Sequence, residues 1–580
     1  MSSPYAALPR SAPRHAAIRR LLTPVAVVLT LAIVSCSPAG AGAADAAQET
    51  GEDPPPMAGR STVYAPHAMV ATSQPLASEA ALGVLRRGGN AFDAAVAASA
   101  VLSLVEPHMT GVGGDLFAIF WSAEEERLVG LNATGRSGSN MTPERIRADG
   151  FDRVPYQAAG AVTVPGAVAG WAALVEDYGR LSLAEVLEPA IGLAENGFPV
   201  SPIIARQWQG LEELLAADPG ATATFLIDGE RGPHPGEWFR NPDLAATLRR
   251  IATEGPGVMY GGELGRRIVE GLEPLGGYLT LEDMAGMRVE RVEPISADYK
   301  AWTVWELPPA NQGVAALQML ELLEPIDLAA MGHNSPAYLH HLIEAKKLAF
   351  ADLDRYVADP DHMHTPVERM LDADYLDGRR ALLDPARAAE RPEPGELATA
   401  SETIYLAVAD EDGNMVSFIH SIFEYFGSGI VIPGTGFALQ NRGAGFTLED
   451  GHPNQVAARK KPFHTLIPGF VTVDGEPLMA FGVMGGSMQP QGHVQVLLNM
   501  IEFGMDPQEA IDAARFRHRG GLRVAIENVT PGLRDELEAL GHEIVPWEDT
   551  AFGGGQLVMR LERGWAGASD ARKDGLAIGY

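Results

Sequence analysis

Thr403 and Ser421 are the two hydroxyls whose setting could support covalent chemistry. Thr403 opens the run Thr403-Ile404-Tyr405-Leu406-Ala407-Val408-Ala409-Asp410, in which apolar and small residues alternate with period two, the pattern of a half-buried strand. Asp412-Gly413-Asn414 supplies turn chemistry, and a second strand-like run, Met415 to Ile422, follows. With Asp412 and Gly413 at the tip of a hairpin, Thr403 falls opposite Ser421 and Ile422. A strand threonine is ordinarily just a β-former. One that begins a core strand beside a second hydroxyl also has what an N-terminal nucleophile needs once the chain is cut before it: the freed α-amine, with a reference pKa of about 8, is a usable base near neutral pH.

The elements around this hairpin are readable from pattern. Ser78 to Leu85 and Ala91 to Val105 have small, apolar helical spacing, interrupted at Gly88-Gly89 and ended by Pro107. Leu116 to Trp121 reads as a strand, and another begins at Leu128 to Leu131. Residues 167–197 and 335–357 carry amphipathic helical spacing. Glu390-Arg391-Pro392-Glu393-Pro394-Gly395-Glu396 is a polar, proline-punctuated loop leading into Thr403, as self-cleavage at Glu402-Thr403 requires. Gly485-Gly486-Ser487 precedes a helical run from His493 to Ile501, and glycine amides at such a turn can approach an oxyanion unobstructed.

The order of motifs carries more than any one of them. Met69-Val70-Ala71, Gly88-Gly89-Asn90-Ala91-Phe92-Asp93, Gly111-Val112-Gly113-Gly114-Asp115 and Pro308-Pro309-Ala310-Asn311-Gln312-Gly313 are followed by Phe426-Gly427-Ser428-Gly429, Leu439-Gln440-Asn441-Arg442, Lys461-Pro462-Phe463-His464-Thr465, Gly485-Gly486-Ser487 and Gly567-Ala568-Ser569-Asp570. From about residue 60 to 580 the chain resembles the gamma-glutamyltranspeptidases. The resemblance implies an α+β fold, the four-layer αββα sandwich of N-terminal nucleophile hydrolases, made as two chains from one precursor. Residues 61–402 would form a large subunit and 403–580 a small one, held together as a heterodimer. Thr403 would attack the Glu402 carbonyl, the resulting ester would be hydrolysed, and mature Thr403 would then take acyl groups from small γ-glutamyl or other acyl amides and pass them to water or an amino acid. Ser421 would orient the hydroxyl, and Gly485 and Gly486 would bind the oxyanion. No cofactor or metal is implied.

The substrate positions depart from the family pattern. An arginine for the substrate's α-carboxylate falls near Arg136, with Thr134 at the ungapped position. Phe423 stands where an asparagine is usual. Arg442 and Gly445 replace a glutamine and an aspartate that receives the α-amine, and His464-Thr465 replace two serines. Arg442, His464 and Thr465 are therefore the candidate acyl-binding residues beside Arg136. The stretch from Phe446 to Lys461 is short for a lid loop, as in the lidless bacterial branch. The implied activity is hydrolysis of γ-glutamyl amides such as glutathione. A glutaryl or cephalosporin-type amide acylase on the same scaffold is the alternative, and a non-cleaving surface solute-binding lipoprotein is the alternative from another class.

Seventy-five acidic against 44 basic residues give a net charge of -31, which opposes capture of nucleic acid or an anionic membrane surface. Arg14, Arg19 and Arg20 precede the apolar stretch 21–34, a secretory core too short to span a bilayer comfortably. It ends at Cys36, the sole cysteine, in a setting that resembles a lipobox, so residues 1–36 read as a lipoprotein signal and 37–60 as a linker. Ordinary signal cleavage among Ala41, Ala43 and Ala44 is the other reading. Either implies export, periplasmic or at the cell surface, with membrane contact only through a lipid anchor. His340-His341 with Glu344 lacks zinc-protease spacing and reads as helical surface, the Asp410–Asn414 run lacks the distal glutamate of a calcium loop, and Gly111 to Gly114 lacks a phosphate-loop lysine.

Overall fold

Alternating apolar residues build two seven-stranded sheets. The first runs in the order Leu576–Gly579, Met69–Thr72, Ile404–Ala409, Met415–Ser421, Asp115–Ser122, Arg127–Ala133, Glu290–Val292; the second runs Val63–Ala65, Trp565–Ser569, Gly554–Arg560, Glu476–Met484, Gly469–Val473, Trp302–Glu306, Ile295–Tyr299. The computed structural model describes residues 59–390, 403–547 and 551–580. Cys36, Glu402 and the targeting segment lie outside the described residues.

Three apolar clusters show how each strand face is used. Tyr405, Ala407, Ile419, Phe117 and Ile119 of the first sheet meet Phe470, Ala480, Met484 and Val558 of the second. The alternate residues Ile404, Leu406, Phe418, Leu116 and Ala118 pack instead with helices Pro75–Arg86, Ala91–Val105 and Ala167–Tyr178. Val471, Phe481 and Val483 pack with helices Gly313–Leu323, Pro336–Tyr356 and Met488–Ile501. Residues two apart share a face. Thr403, two before Tyr405, therefore projects toward the second sheet at the end of its strand.

The helix Ala91–Val105 is buried along its whole length, which its small residues permit. Asn90 and Asp93 close a capping box at its start. The tip of the nucleophile hairpin is tied to that start: Asp410 Oδ2 accepts from the Ala91 amide at 2.8 Å, while Oδ1 accepts from the Asp412 and Asn414 amides. Those bonds account for the acidic turn with no cation. Among the described residues, no helix is long and apolar enough to cross a membrane.

Candidate active site

The antiparallel pairing of Ile404–Ala409 with Met415–Ser421 sets Ile404 against His420, and one further step sets Thr403 against Ser421. On the other side Ser421 pairs with Asp115. Paired residues point to the same face, so Thr403, Ser421 and Asp115 form a row across three strand ends, all directed between the sheets. All three are fully buried. The row lies close over the glycine motif before it. A Cβ on Gly114 would stand 2.5 Å from the Ser421 carbonyl oxygen, and one on Gly113 2.4 Å from that of Ala438, so this turn needs glycine for close approach rather than for phosphate.

The second sheet brings the Gly485-Gly486 turn to the same end of the structure. Strand Glu476–Met484 ends at Gly485 and Gly486, with φ of 122° and 60°, left-handed values that favour glycine. The Gly485 and Gly486 carbonyls accept from the Met488 and Gln489 amides at 3.0 and 3.1 Å, at the start of helix Met488–Ile501. Across a trans peptide the C=O and the following N–H are antiparallel. The Gly486 amide consequently points away from the helix, with the helix's positive end behind it.

Arg442 links the row to the wall of a neighbouring pocket. It is fully buried, its guanidinium donates to Ser421 Oγ and Thr465 Oγ1, both at 3.3 Å, and its Cζ lies 4.2 Å from the centre of the Phe423 ring. Burial lowers its pKa to about 10, with Asp115 pulling the other way. Phe423 has φ of 79°, a strained value for a bulky residue, and its amide donates to Ser421 Oγ at 2.7 Å. The Phe423 ring stands between Arg442 and a pocket of about 930 Å³ whose wall includes Tyr156, Gln312, Phe350, Gly445, Phe446, Phe463, Thr465 and Ser487. His464 is buried behind Thr465, edge-on to Phe117, with Nε2 3.9 Å from Asp115 Oδ2. Burial and then Arg442 hold its pKa well below the usual histidine range, so it is neutral.

Buried polar atoms are seldom without partners. Here Thr403 Oγ1, Asp115 Oδ2, Arg442 Nε and both ring nitrogens of His464 have none among the described residues. Together with the shifted pKa values of Asp115, Arg442 and His464 around one strand end, they mark a candidate site.

Of the residues singled out from sequence, Thr403, Ser421, Arg442, His464 and Thr465 come together, with Gly485 and Gly486 on the facing sheet. Arg136 does not join them. It lines a separate pocket of about 470 Å³ with Glu290 and Arg459 and pairs with Asp359 at 3.2 Å; Thr134 lies in that pocket too, its hydroxyl on Asn132. The surface reading of His340 is also corrected. His340 is buried, accepting or donating through Nδ1 to His542 Nε2 at 2.8 Å, with its Nε2 on the Asp384 carbonyl. Glu344 holds Lys347 and the Ala389 amide. These three side chains lie close enough for a metal, but the carboxylate is already neutralised by Lys347.

Asp115 is the residue that sequence reasoning passed over. Its Oδ1 accepts from the Gly135 and Gly166 amides, both at 3.1 Å, pinning two loops beneath Ser421. An acid at the head of the apolar run Asp115-Leu116-Phe117-Ala118-Ile119-Phe120 was the available signal. Burial raises its pKa to about 7 against the pull of Arg442. With the folded pKa above the unfolded one, its contribution to stability is complete below the unfolded value near pH 4 and is lost as pH rises through about 7. Asp115→Asn keeps the Oδ1 acceptor and cannot ionise. Its stability relative to wild type, read by urea unfolding, should therefore rise between pH 4 and 8 by an amount on the order of 4 kcal/mol; a pH-independent difference would show that Asp115 is ionised throughout.

Residues 77–580 match the family model described as Gamma-glutamyltranspeptidase. The chain is 40% identical over 522 residues to the glutathione hydrolase-like YwrD proenzyme of Bacillus subtilis (strain 168), covering 88% of this chain and 98% of that one. It is 35% identical over 519 residues to the Acylase ACY 1 proenzyme of Pseudomonas sp. (strain SE83), covering 88% and 93%. Among solved structures, cephalosporin acylase from Bacillus halodurans superposes with a TM-score of 0.86 at 41% identity, covering 91% of this chain and 98% of that one.

Proposed function

The chain belongs to the gamma-glutamyltranspeptidase family, and from that premise we propose that it is a self-processing threonine hydrolase cleaving γ-glutamyl amide bonds, as in glutathione, through an ester on Thr403. The observation that carries this reading is the row Thr403, Ser421, Asp115 facing the Gly485-Gly486 turn. In the precursor, the Thr403 hydroxyl adds to the Glu402 carbonyl, the peptide C–N bond breaks as the hydroxyl proton passes to the departing nitrogen and so frees the α-amine, and water then hydrolyses the ester to release the Glu402 carboxylate and the Thr403 hydroxyl. That amine then takes the hydroxyl proton as Thr403 attacks a substrate amide and returns it to the leaving amine. Ser421 orients the hydroxyl, and the turn's amides receive the oxyanion, each such donor being worth roughly 3 kcal/mol of barrier. The same scheme makes residues 61–402 and 403–580 two chains of one αββα sandwich. A pocket open beside Thr465 and Gly445 leaves the ester accessible to water, favouring hydrolysis over transfer. Glutathione incubated with the protein should yield free glutamate, with little γ-glutamyl-glycylglycine when glycylglycine is added; glutathione left intact by processed protein counts against the γ-glutamyl reading.

A second reading, a glutaryl-type acylase, is favoured by one observation: a buried cation, Arg442, and a glycine, Gly445, stand where an α-ammonium would need an acid. The Thr403 hydroxyl, buried with no partner among the described residues, supports either enzyme over a binding lipoprotein. Export with Cys36 as a lipidated N-terminus is part of the same proposal. Cys36→Ala should release the protein from the membrane fraction with its activity intact; a soluble wild-type protein beginning near Asp45 would instead identify ordinary signal cleavage.

A further inference from the structure

Gln312 is buried in the pocket wall, between strand Trp302–Glu306 and helix Gly313–Leu323. Its Nε2 lies 2.7 Å from the carbonyl oxygen of Thr465 and 2.7 Å from that of Gly486. Both partners are pure acceptors, so the amide must face them with its NH2 group; the flipped amide would set three oxygens together. One side chain thus clamps the acyl-binding segment and the oxyanion turn at once.

The clamp falls where the backbone is least constrained. Gly486 has φ of 60° and no side chain to hold its peptide plane. The direction of its carbonyl fixes the direction of the Ser487 N–H, antiparallel across the trans peptide. The Gln489 amide holds the same carbonyl at 3.1 Å from the helix side, and Gln312 holds it from the pocket side. Two anchors on one carbonyl suppress the peptide rotation that would scatter the turn's donors.

We propose that Gln312 is a positioning residue for acyl transfer at Thr403. By clamping the Gly486 carbonyl it fixes the Gly486–Ser487 peptide and so restrains the turn that carries the Gly486 amide facing the carbonyl under attack, and by clamping Thr465 it keeps the acyl pocket in register with that turn. This rests on the threonine-hydrolase reading. Self-cleavage and substrate turnover both place an oxyanion at this turn, so both depend on Gln312.

The test compares wild type, Gln312→Ala, Gln312→Met, which keeps length and volume without the donors, and Gln312→Glu. It follows the cutting of freshly synthesised precursor by intact mass, and kcat and KM of mature protein on γ-glutamyl and glutaryl 4-nitroanilide, with thermal melting alongside. Gln312→Ala and Gln312→Met should lose about tenfold or more in cutting rate and kcat, with KM held within about threefold. Gln312→Glu should be slower than Gln312→Met at about pH 8, where a carboxylate opposes two carbonyls, and should gain on it as pH falls and the acid recovers a donor. Wild-type cutting and kcat in Gln312→Met overturn the proposal, as does a defect confined to KM or to melting. Thr403→Ala in parallel separates the two claims: cutting that survives there refutes the threonine mechanism, whereas inert Thr403→Ala beside fast Gln312→Met refutes only the positioning role.

Discussion

Thr403→Ala leaves the precursor as one uncut chain and abolishes amide hydrolysis. The hydroxyl is the only atom group the substitution takes from the proposed chemistry, and it is buried, so its removal breaks no hydrogen bond among the described residues. The fold should survive, with a melting temperature close to that of the uncut wild-type precursor. Removal of a covalent nucleophile typically costs roughly 10⁴-fold or more in kcat, and here the loss is compounded because the α-amine base is never released. Thr403→Ser, which keeps a hydroxyl, should still cut itself and retain measurable activity. Intact mass reports the outcome directly: wild type should give a C-terminal chain starting at Thr403. A full-length wild-type protein that turns over substrate would sink the mechanism, because its Thr403 nitrogen would still be locked in a peptide bond.

The parts of this site that sequence made legible are those set by local pattern. Period-two alternation and Asp412-Gly413 at the tip place Thr403 opposite Ser421 and Ile422; the observed loop of residues 410–414, with Ala409 against Met415, sets the register at Ser421. The helix after Gly485-Gly486 is longer than its apolar spacing indicated, starting at Met488 rather than His493; Pro490 and Gly492 in its first turns hide the helical signal while being tolerated there. Contacts between distant segments were not legible. Arg136 looked free to bind a carboxylate because nothing local opposes it, yet Asp359, 223 positions away, holds it. His340 read as helical surface because its partner, His542, lies 202 positions off. The stacking of Arg442 on Phe423 depends on a left-handed backbone at Phe423 that its residue type argues against. Spacing and family resemblance located these positions; which way their side chains face is set by partners far along the chain.

Arg442→Gln should cut hydrolysis of a glutaryl anilide far more than that of its γ-glutamyl counterpart. The guanidinium lies directly behind Phe423 and is bonded to Thr465, both in the pocket wall. Asp115, whose charge acts on it, is pushed up to about 7 by burial and so cancels little of its charge below neutral pH. An acyl carboxylate roughly 6 Å from that cation gains about 2 to 3 kcal/mol at an effective dielectric of about 20, a factor of roughly 30 to 150 in kcat/KM. An α-ammonium in the same pocket is repelled by a similar amount, and Gly445 offers it no acid. On this account wild type should show no preference for the γ-glutamyl anilide over the glutaryl one, and added glycylglycine should raise release only modestly, since water already reaches the ester. Glutamine keeps a donor for Ser421 and Thr465 but removes the charge. A selective loss on the glutaryl substrate therefore isolates electrostatics, whereas an equal loss on both would mean that Arg442 acts through the orientation of Ser421. A strong γ-glutamyl preference in wild type, joined to large acceptor stimulation, would require an acid that reaches the substrate's α-amine from outside the row, and Asp354 and Glu449 in the pocket wall are where to look for it.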